Sequence, residues 1–212
     1  PNKEDRHKGL SAFIVERGTE GFQVGSKIET TGLRGSQPCE LILDRVRVPK
    51  DSLLGREGEG FYVGVKTYDR GRIDVAAQGI GIAQAAYEAA VSYAQTRTSF
   101  ETPLIDFQQV QYKLADMAIG LHTARLLTYW AASLKDQGKD FVKAASIAKV
   151  TATETAEKLA LLAMMIHGGY GVATEYPVER FLRDSQIIKT YEGTNDIQRL
   201  TIAKQLIREL KS

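Results

Sequence analysis

Phe107-Gln-Gln-Val-Gln-Tyr-Lys-Leu-Ala-Asp-Met-Ala-Ile-Gly-Leu-His-Thr-Ala124 is the clearest periodic stretch of this 212-residue chain. Phe107, Val110, Leu114, Met117, Leu121 and Ala124 step by three or four, the spacing that aligns side chains on one face of an α-helix. Gly138 marks the stop. Working outward, Val142 to Ile166 reads as a further helix, rich in Ala and Leu, that ends at Gly168-Gly169. A shorter segment, Pro177 to Ile187, leads to a loop and a last helix. Thr194 can cap that last helix, whose apolar positions are Ile197, Leu200, Ile202 and Leu206. On the N-terminal side a helix starts near Gly58 and runs toward Tyr93, with Phe61, Val65, Tyr68, Val75, Ile82 and Ala86 near one face. Long helices joined by short connections predict an antiparallel four-helix-bundle-type domain over residues 58–212.

Residues 1–57 read differently. Leu10 to Val15 and Gly21 to Gly25 are short β-rich runs, and Glu40 to Val48 is a longer one ending at Pro49. Thr31-Gly-Leu-Arg-Gly-Ser-Gln-Pro38 has loop chemistry. These strands are too few to complete a sheet, so the segment is expected to be a partial antiparallel β domain. The fold class is therefore α+β, mainly α.

Composition excludes several functions. Hydrophobic content of 43% and charged content of 25% describe an ordinary globular protein. The net charge of +2 is interspersed, without a nucleic-acid-binding stripe. The single cysteine, Cys39, precludes an intrachain disulfide and suits a reducing compartment. No apolar run is long enough to span a membrane, and there is no secretory h-region. His7, His122 and His167 are scattered without metal-ligand spacing, so no metal is expected. No nucleophile elbow or phosphate-binding Gly-x-x-x-x-Gly-Lys occurs. Gly79-Ile-Gly81 has Gln84 where a dinucleotide fingerprint needs glycine, and no strand precedes it. Close helix packing is the expected use of those two glycines.

The stretch Ile188-Lys-Thr-Tyr-Glu-Gly-Thr-Asn-Asp-Ile-Gln-Arg199 carries the candidate chemistry. Glu192 falls on a short connection at a helix N-terminus, and Gly193 permits close backbone approach. A helix start favours the ionised carboxylate and an apolar pocket the protonated one, a balance that can produce a general base. The same residues equally describe a solvated loop charge before an ordinary cap. Spacing alone leaves both readings open.

Tyr191-Glu-Gly-Thr-Asn-Asp-Ile-Gln-Arg199 resembles the C-terminal signature of acyl-CoA dehydrogenases. Arg97-Thr-Ser-Phe100, Phe107-Gln108, Leu114-Ala-Asp-Met117, Gly168-Gly-Tyr-Gly171, Glu175-Tyr-Pro-Val-Glu-Arg180 and Arg183-Asp184 also resemble segments of that family, in order and spacing. The resemblance covers essentially the whole chain and leans toward short-chain, butyryl-type members. It implies FAD-dependent α,β-dehydrogenation of an acyl-CoA thioester to the trans-2-enoyl-CoA. Glu192 would be the catalytic base, and electrons would pass to an electron-transferring flavoprotein. By the same resemblance, Arg97, Ser99, Phe100, Gln108, Met165, Ile166, His167, Gly168, Gly169, Thr194 and Asp196 would contact flavin, the Arg97 group on an adjacent subunit. Tyr68, Asp69, Arg72, Tyr191 and Gly193 would face the substrate.

Two departures accompany the likeness: the family's usual glycine after Phe100 is Glu101, and a common glutamine is Met165. The position before Arg72, where a subgroup of the family carries its base, holds Gly71, which leaves Glu192 without a rival. Asp69 and Arg72, one turn apart, also fit a helix-surface ion pair of little energetic weight. The resemblance further implies a C-terminal portion of such an enzyme, without its N-terminal half, forming a homodimer or homotetramer. Bacterial cytoplasm, or else the mitochondrial matrix, is the expected compartment, with cytoplasm favoured. An alternative of another class is an oligomerisation module, inactive and flavin-free on its own. A flavin monooxygenase relative is disfavoured by Glu192.

Overall fold

The structure, a computed structural model, describes residues 7–211. It comprises two compact units, residues 7–30 with 34–68, and residues 31–33 with 69–211.

In the first unit β1 (Ala12–Phe13) pairs antiparallel with β4 (Leu53–Leu54), and β2 (Phe22–Lys27) with β3 (Cys39–Leu43). The strand expected to reach Val48 stops at Leu43. Arg45 adopts φ +52°, a left-handed conformation that turns the chain out of the ladder. Val24, Leu41 and Leu43 remain exposed, because a two-stranded ribbon cannot cover its own faces.

Helix α1 (Gly60–Thr96) begins in this unit and continues into the second. Val65 and Tyr68, expected on the buried face, are exposed; burial sets in at Asp69. Beyond that point α1 presents a row of small residues, Ala76, Gly79, Ala83, Ala86, Ala90 and Ala94. It meets α3 (Val142–His167), itself lined by buried alanines. The approach is so close that a Cβ on Gly79 would lie 2.9 Å from the Ala152 carbonyl oxygen. Gly81 differs from its expected role: it faces open space, with none of the described residues within 4 Å of a notional Cβ.

Helix α2 (Gln108–Asp136) follows a tight hairpin of β5 (Thr98–Ser99) and β6 (Thr102–Pro103). Its expected row is buried at Leu114, Met117, Leu121 and Ala124, and Gly138 takes φ +67° beyond its end. Helix α4 (Val178–Ile188) packs on α3. The last helix, α5 (Asn195–Glu209), starts at Thr194, whose hydroxyl accepts from the Ile197 N–H at 3.3 Å.

The apolar positions of α5 do not form its buried face. Ile197, Leu200 and Leu206 are exposed, and its buried side chains are Asn195 and Gln198. The reason lies on α3, which turns Ser146, Lys149 and Thr153 toward α5, so polar partners are buried and the apolar row faces outward.

The β5–β6 hairpin shows what the departure at Glu101 costs. Its two central residues, Phe100 and Glu101, have φ +50° and +63°, the sign that a two-residue primed turn requires and that glycine tolerates best. Glu101→Gly should therefore raise stability by about 1 kcal/mol, as left-handed strain is relieved. Thermal unfolding of the pair would measure it, and a lower melting temperature would contradict the account.

Candidate active site

Between α4 and α5 the chain makes a turn in which Glu192 and Gly193 both have positive φ, +56° and +83°. For glutamate this conformation is costly, and the surrounding contacts must hold it. The Glu192 Oε2 atom is buried and has no hydrogen-bond partner among the described residues. Glu192 lines a cavity of about 420 Å³ with Tyr191 and, from α1, Gly71, Asp74, Val75 and Gln78. A side chain at position 71 would collide with the Glu192 carboxylate. Positions 71 and 192, 121 residues apart in sequence, thus converge on one point in space. The Tyr191 hydroxyl donates to the Gln78 side-chain oxygen across the same cavity.

Behind the carboxylate lies a buried polar network. Arg72 donates to Asp69 at 2.7 Å and to the Ser146 hydroxyl at 3.4 Å. This pair is not on the helix surface, since its side chains are only 10% and 13% exposed. Burial pushes the Asp69 carboxyl up and the Arg72 guanidinium down, each opposed by its partner's charge, and Glu192 also favours the charged Arg72. The Ser146 hydroxyl donates to Gln198 Oε1 at 3.0 Å. Gln198 Nε2 in turn donates to the Glu192 and Gly193 carbonyls at 3.3 and 3.1 Å. Lys149 donates to the carbonyls of Lys189 and Gly193 and to Asn195 Oδ1. Among the described residues, the group whose approach Gly193 permits is Gln198, 2.5 Å from where a Cβ would stand.

A second cleft, about 670 Å³, is lined by Arg97, Thr98, Ser99, Ile166, His167, Gly168 and Gly169, together with Tyr93, Leu104, Tyr170 and Ala173. Gly168, at φ +60°, closes α3, and neither it nor Gly169 has an atom within 4 Å of a notional Cβ. The Arg97 guanidinium lies over the Tyr170 ring. His167 is buried, stacks on Tyr93 at 4.0 Å and bonds the Ala163 carbonyl through Nδ1 at 2.8 Å.

Burial pushes the His167 imidazole below its ordinary value of 6.5, against the pull of that carbonyl. The unfolded chain then takes up this proton at higher pH than the folded one. Stability held by neutral His167 is present above pH 6.5 and is lost as pH falls through the lower folded value. His167→Phe should flatten the decline of unfolding free energy between pH 6.5 and about 5. Denaturant titrations at several pH values would show parallel slopes if this is wrong.

The expected site residues thus fall in more than one place. Phe100 is 92% exposed, Met165 is 62% exposed, and Gln108 is exposed at the first turn of α2; none lines the second cleft. Thr194 and Asp196 line a third cleft with Glu154, Glu157, Lys189, Thr190, Asn195 and Arg199. Tyr68 belongs to the first unit and is half exposed. Sequence reading missed Ser146, Lys149, Asn195 and Gln198. Their signal was available: polar residues at helical spacing within the alanine row of α3, matched by a polar pair one turn apart on α5. Among the described residues no cluster of metal-ligating side chains occurs, and no helix is long and apolar enough to cross a membrane.

This helical architecture agrees with a known family. Residues 58–207 match the C-terminal domain of acyl-CoA dehydrogenase, and the chain belongs to that family. It is 48% identical over 207 residues to the human mitochondrial short-chain specific acyl-CoA dehydrogenase, covering 98% of this chain and 50% of that protein. With an acyl-CoA dehydrogenase of Bacillus subtilis it shares 50% over 204 residues, 96% of this chain and 54% of the relative. The solved butyryl-CoA dehydrogenase of Megasphaera elsdenii superposes with a TM-score of 0.95 at 44% identity, over 97% of this chain and 54% of the other. The chain spans about half the length of these relatives.

Proposed function

We propose that this chain supplies the proton-abstracting half of a short-chain acyl-CoA dehydrogenase, with Glu192 as the base. The observation that carries the reading is the buried, unpartnered Glu192 oxygen at the wall of the 420 Å³ cavity. An acceptor without a donor in the resting protein is free to take a proton from a bound thioester. Glu192 would remove the α-proton while the β-hydrogen leaves as hydride. Bound FAD supplies the two-electron acceptor for that hydride. The Glu192 backbone N–H would help hold the thioester oxygen as charge develops on it. The preference for a short acyl group rests on the likeness to short-chain and butyryl-CoA relatives.

The second cleft fits a dinucleotide. Arg97 offers a guanidinium fork for a pyrophosphate, Thr98 and Ser99 offer hydroxyls, and the bare Gly168 and Gly169 allow close backbone approach. Thr194 and Asp196 line a different cleft, which agrees with one chain serving two flavins in an assembly. Position 71 cannot supply the base, because glycine has no side chain. The proposed division of the chain after residue 57 is supported by a family match that begins at residue 58, whereas the compact units divide within α1, after residue 68. Electron-transferring flavoprotein is the proposed electron acceptor. Bacterial cytoplasm or mitochondrial matrix is the proposed compartment, since relatives come from both kinds of source.

Anaerobic addition of butyryl-CoA to the holoenzyme tests the reading: the visible flavin band should bleach with one equivalent. A band unchanged by acyl-CoA of any chain length would sink it.

A specific observation also favours assembly. Tyr112, Ile119, Leu126 and Trp130 lie along one exposed side of α2, at spacings of seven and four. A homodimer or homotetramer is expected in solution, read by sedimentation equilibrium; a monomer at micromolar concentration would contradict it.

A further inference from the structure

We propose that Lys149 is a positioning residue for this reaction, pinning the carbonyls on either side of the Glu192 turn to α3. The inference rests on Glu192 being the base. Lys149 is fully buried, two turns into α3. Its ammonium has three donors and three acceptors: the Lys189 carbonyl at 3.0 Å, the Gly193 carbonyl at 3.1 Å and Asn195 Oδ1 at 2.8 Å. The two carbonyls bracket Thr190, Tyr191 and Glu192, so one side chain fixes both ends of the segment that carries the carboxylate.

The third acceptor is itself held in place. Asn195 Nδ2 donates to the Thr153 hydroxyl at 3.0 Å and to Glu154 at 3.2 Å, and the Thr153 hydroxyl donates to the Lys149 carbonyl at 2.8 Å. The loop, the first turn of α5 and one turn of α3 are thereby joined through a single nitrogen.

Such a tie is needed because Glu192 occupies a left-handed conformation that glutamate does not hold unaided. Gln198 ties the same turn through neutral amide bonds. Burial and the neighbouring Arg72 push the Lys149 ammonium down to about 8, opposed by Glu154 and Glu192. Three acceptors at hydrogen-bond distance offset the cost of burying this cation. Methionine, of similar length, would fill the same space and make none of the three bonds.

The test compares Lys149→Met, Lys149→Gln and Glu192→Gln in the holoenzyme by hydrogen exchange and steady-state kinetics. Lys149→Met should speed amide exchange over residues 189–195 at least about tenfold, leaving α2 unchanged. It should lower kcat about 100-fold with KM within about threefold, the signature of a displaced catalytic group. Lys149→Gln, which keeps a shorter donor, should fall between and serves if the methionine variant does not fold. Glu192→Gln should lose turnover with its loop exchange unchanged. Loop exchange equal to wild type in both Lys149 variants, or acceleration spread evenly over α2 and α3, would overturn the proposal. Retained turnover in Glu192→Gln would instead overturn the base assignment, an outcome read separately from loop exchange.

Discussion

Glu192→Gln in the holoenzyme is expected to lower acyl-CoA dehydrogenation by roughly 10²–10⁴-fold, the range that a positioned general base contributes. The substitution keeps shape and removes only the capacity to accept a proton. Gln198 and Lys149 bind the loop through backbone carbonyls, so the turn should stay in place. The flavin band should persist, because Glu192 does not line the cleft formed by Arg97, Ser99 and Gly168. Stopped-flow reduction of the flavin measures the chemical step directly. A rate within tenfold of wild type would remove Glu192 from the role of base.

The position of Gly71 sharpens this expectation. A side chain there would project into the space of the Glu192 carboxylate. Adding Gly71→Glu to Glu192→Gly should therefore restore part of the lost rate, by delivering a carboxylate to the same point from α1. Gly71→Glu alone should be inactive or poorly folded, since two carboxylates would compete for one site.

Gly79→Val is expected to destabilise the fold by about 3 kcal/mol or more, the upper part of the range for overpacking a tight interface. A Cβ at this position meets backbone, at 2.9 Å from the Ala152 oxygen and 3.0 Å from its carbon, not the movable end of a side chain. The two helices would have to part, opening the row of fully buried alanines on both. Gly81→Ala, two residues on, faces open space and should instead stabilise by up to about 1 kcal/mol through helix propensity. Urea unfolding of both variants distinguishes packing from propensity. Equal effects would mean that the α1–α3 contact is not as close as described.

Much of this molecule was legible in its sequence because the relevant physics is local. The period of Leu114, Met117, Leu121 and Ala124 fixes α2, and the burial of those residues follows from it. Thr194 caps α5 through a hydroxyl three residues from the amide that it accepts, and the loop holding Glu192 was marked by its own residues. The strand beyond Leu43 was misjudged, because a backbone reversal at Arg45 leaves no trace in residue type. The apolar row of α5 shows a helix but not which face is buried, because periodicity finds a face without saying what opposes it.

What opposes it is decided by residues far apart. Ser146 and Lys149 meet Gln198 and Asn195 across 52 and 46 positions, and only the packing of α5 on α3 brings those polar groups together and turns the apolar ones outward. The sequence by itself determined the helices, the family and the glutamate. Tertiary structure alone decided that Gly71 faces that glutamate and that a buried lysine ties its loop. A hydrogen bond between distant residues exists only once packing has brought donor and acceptor within about 3 Å.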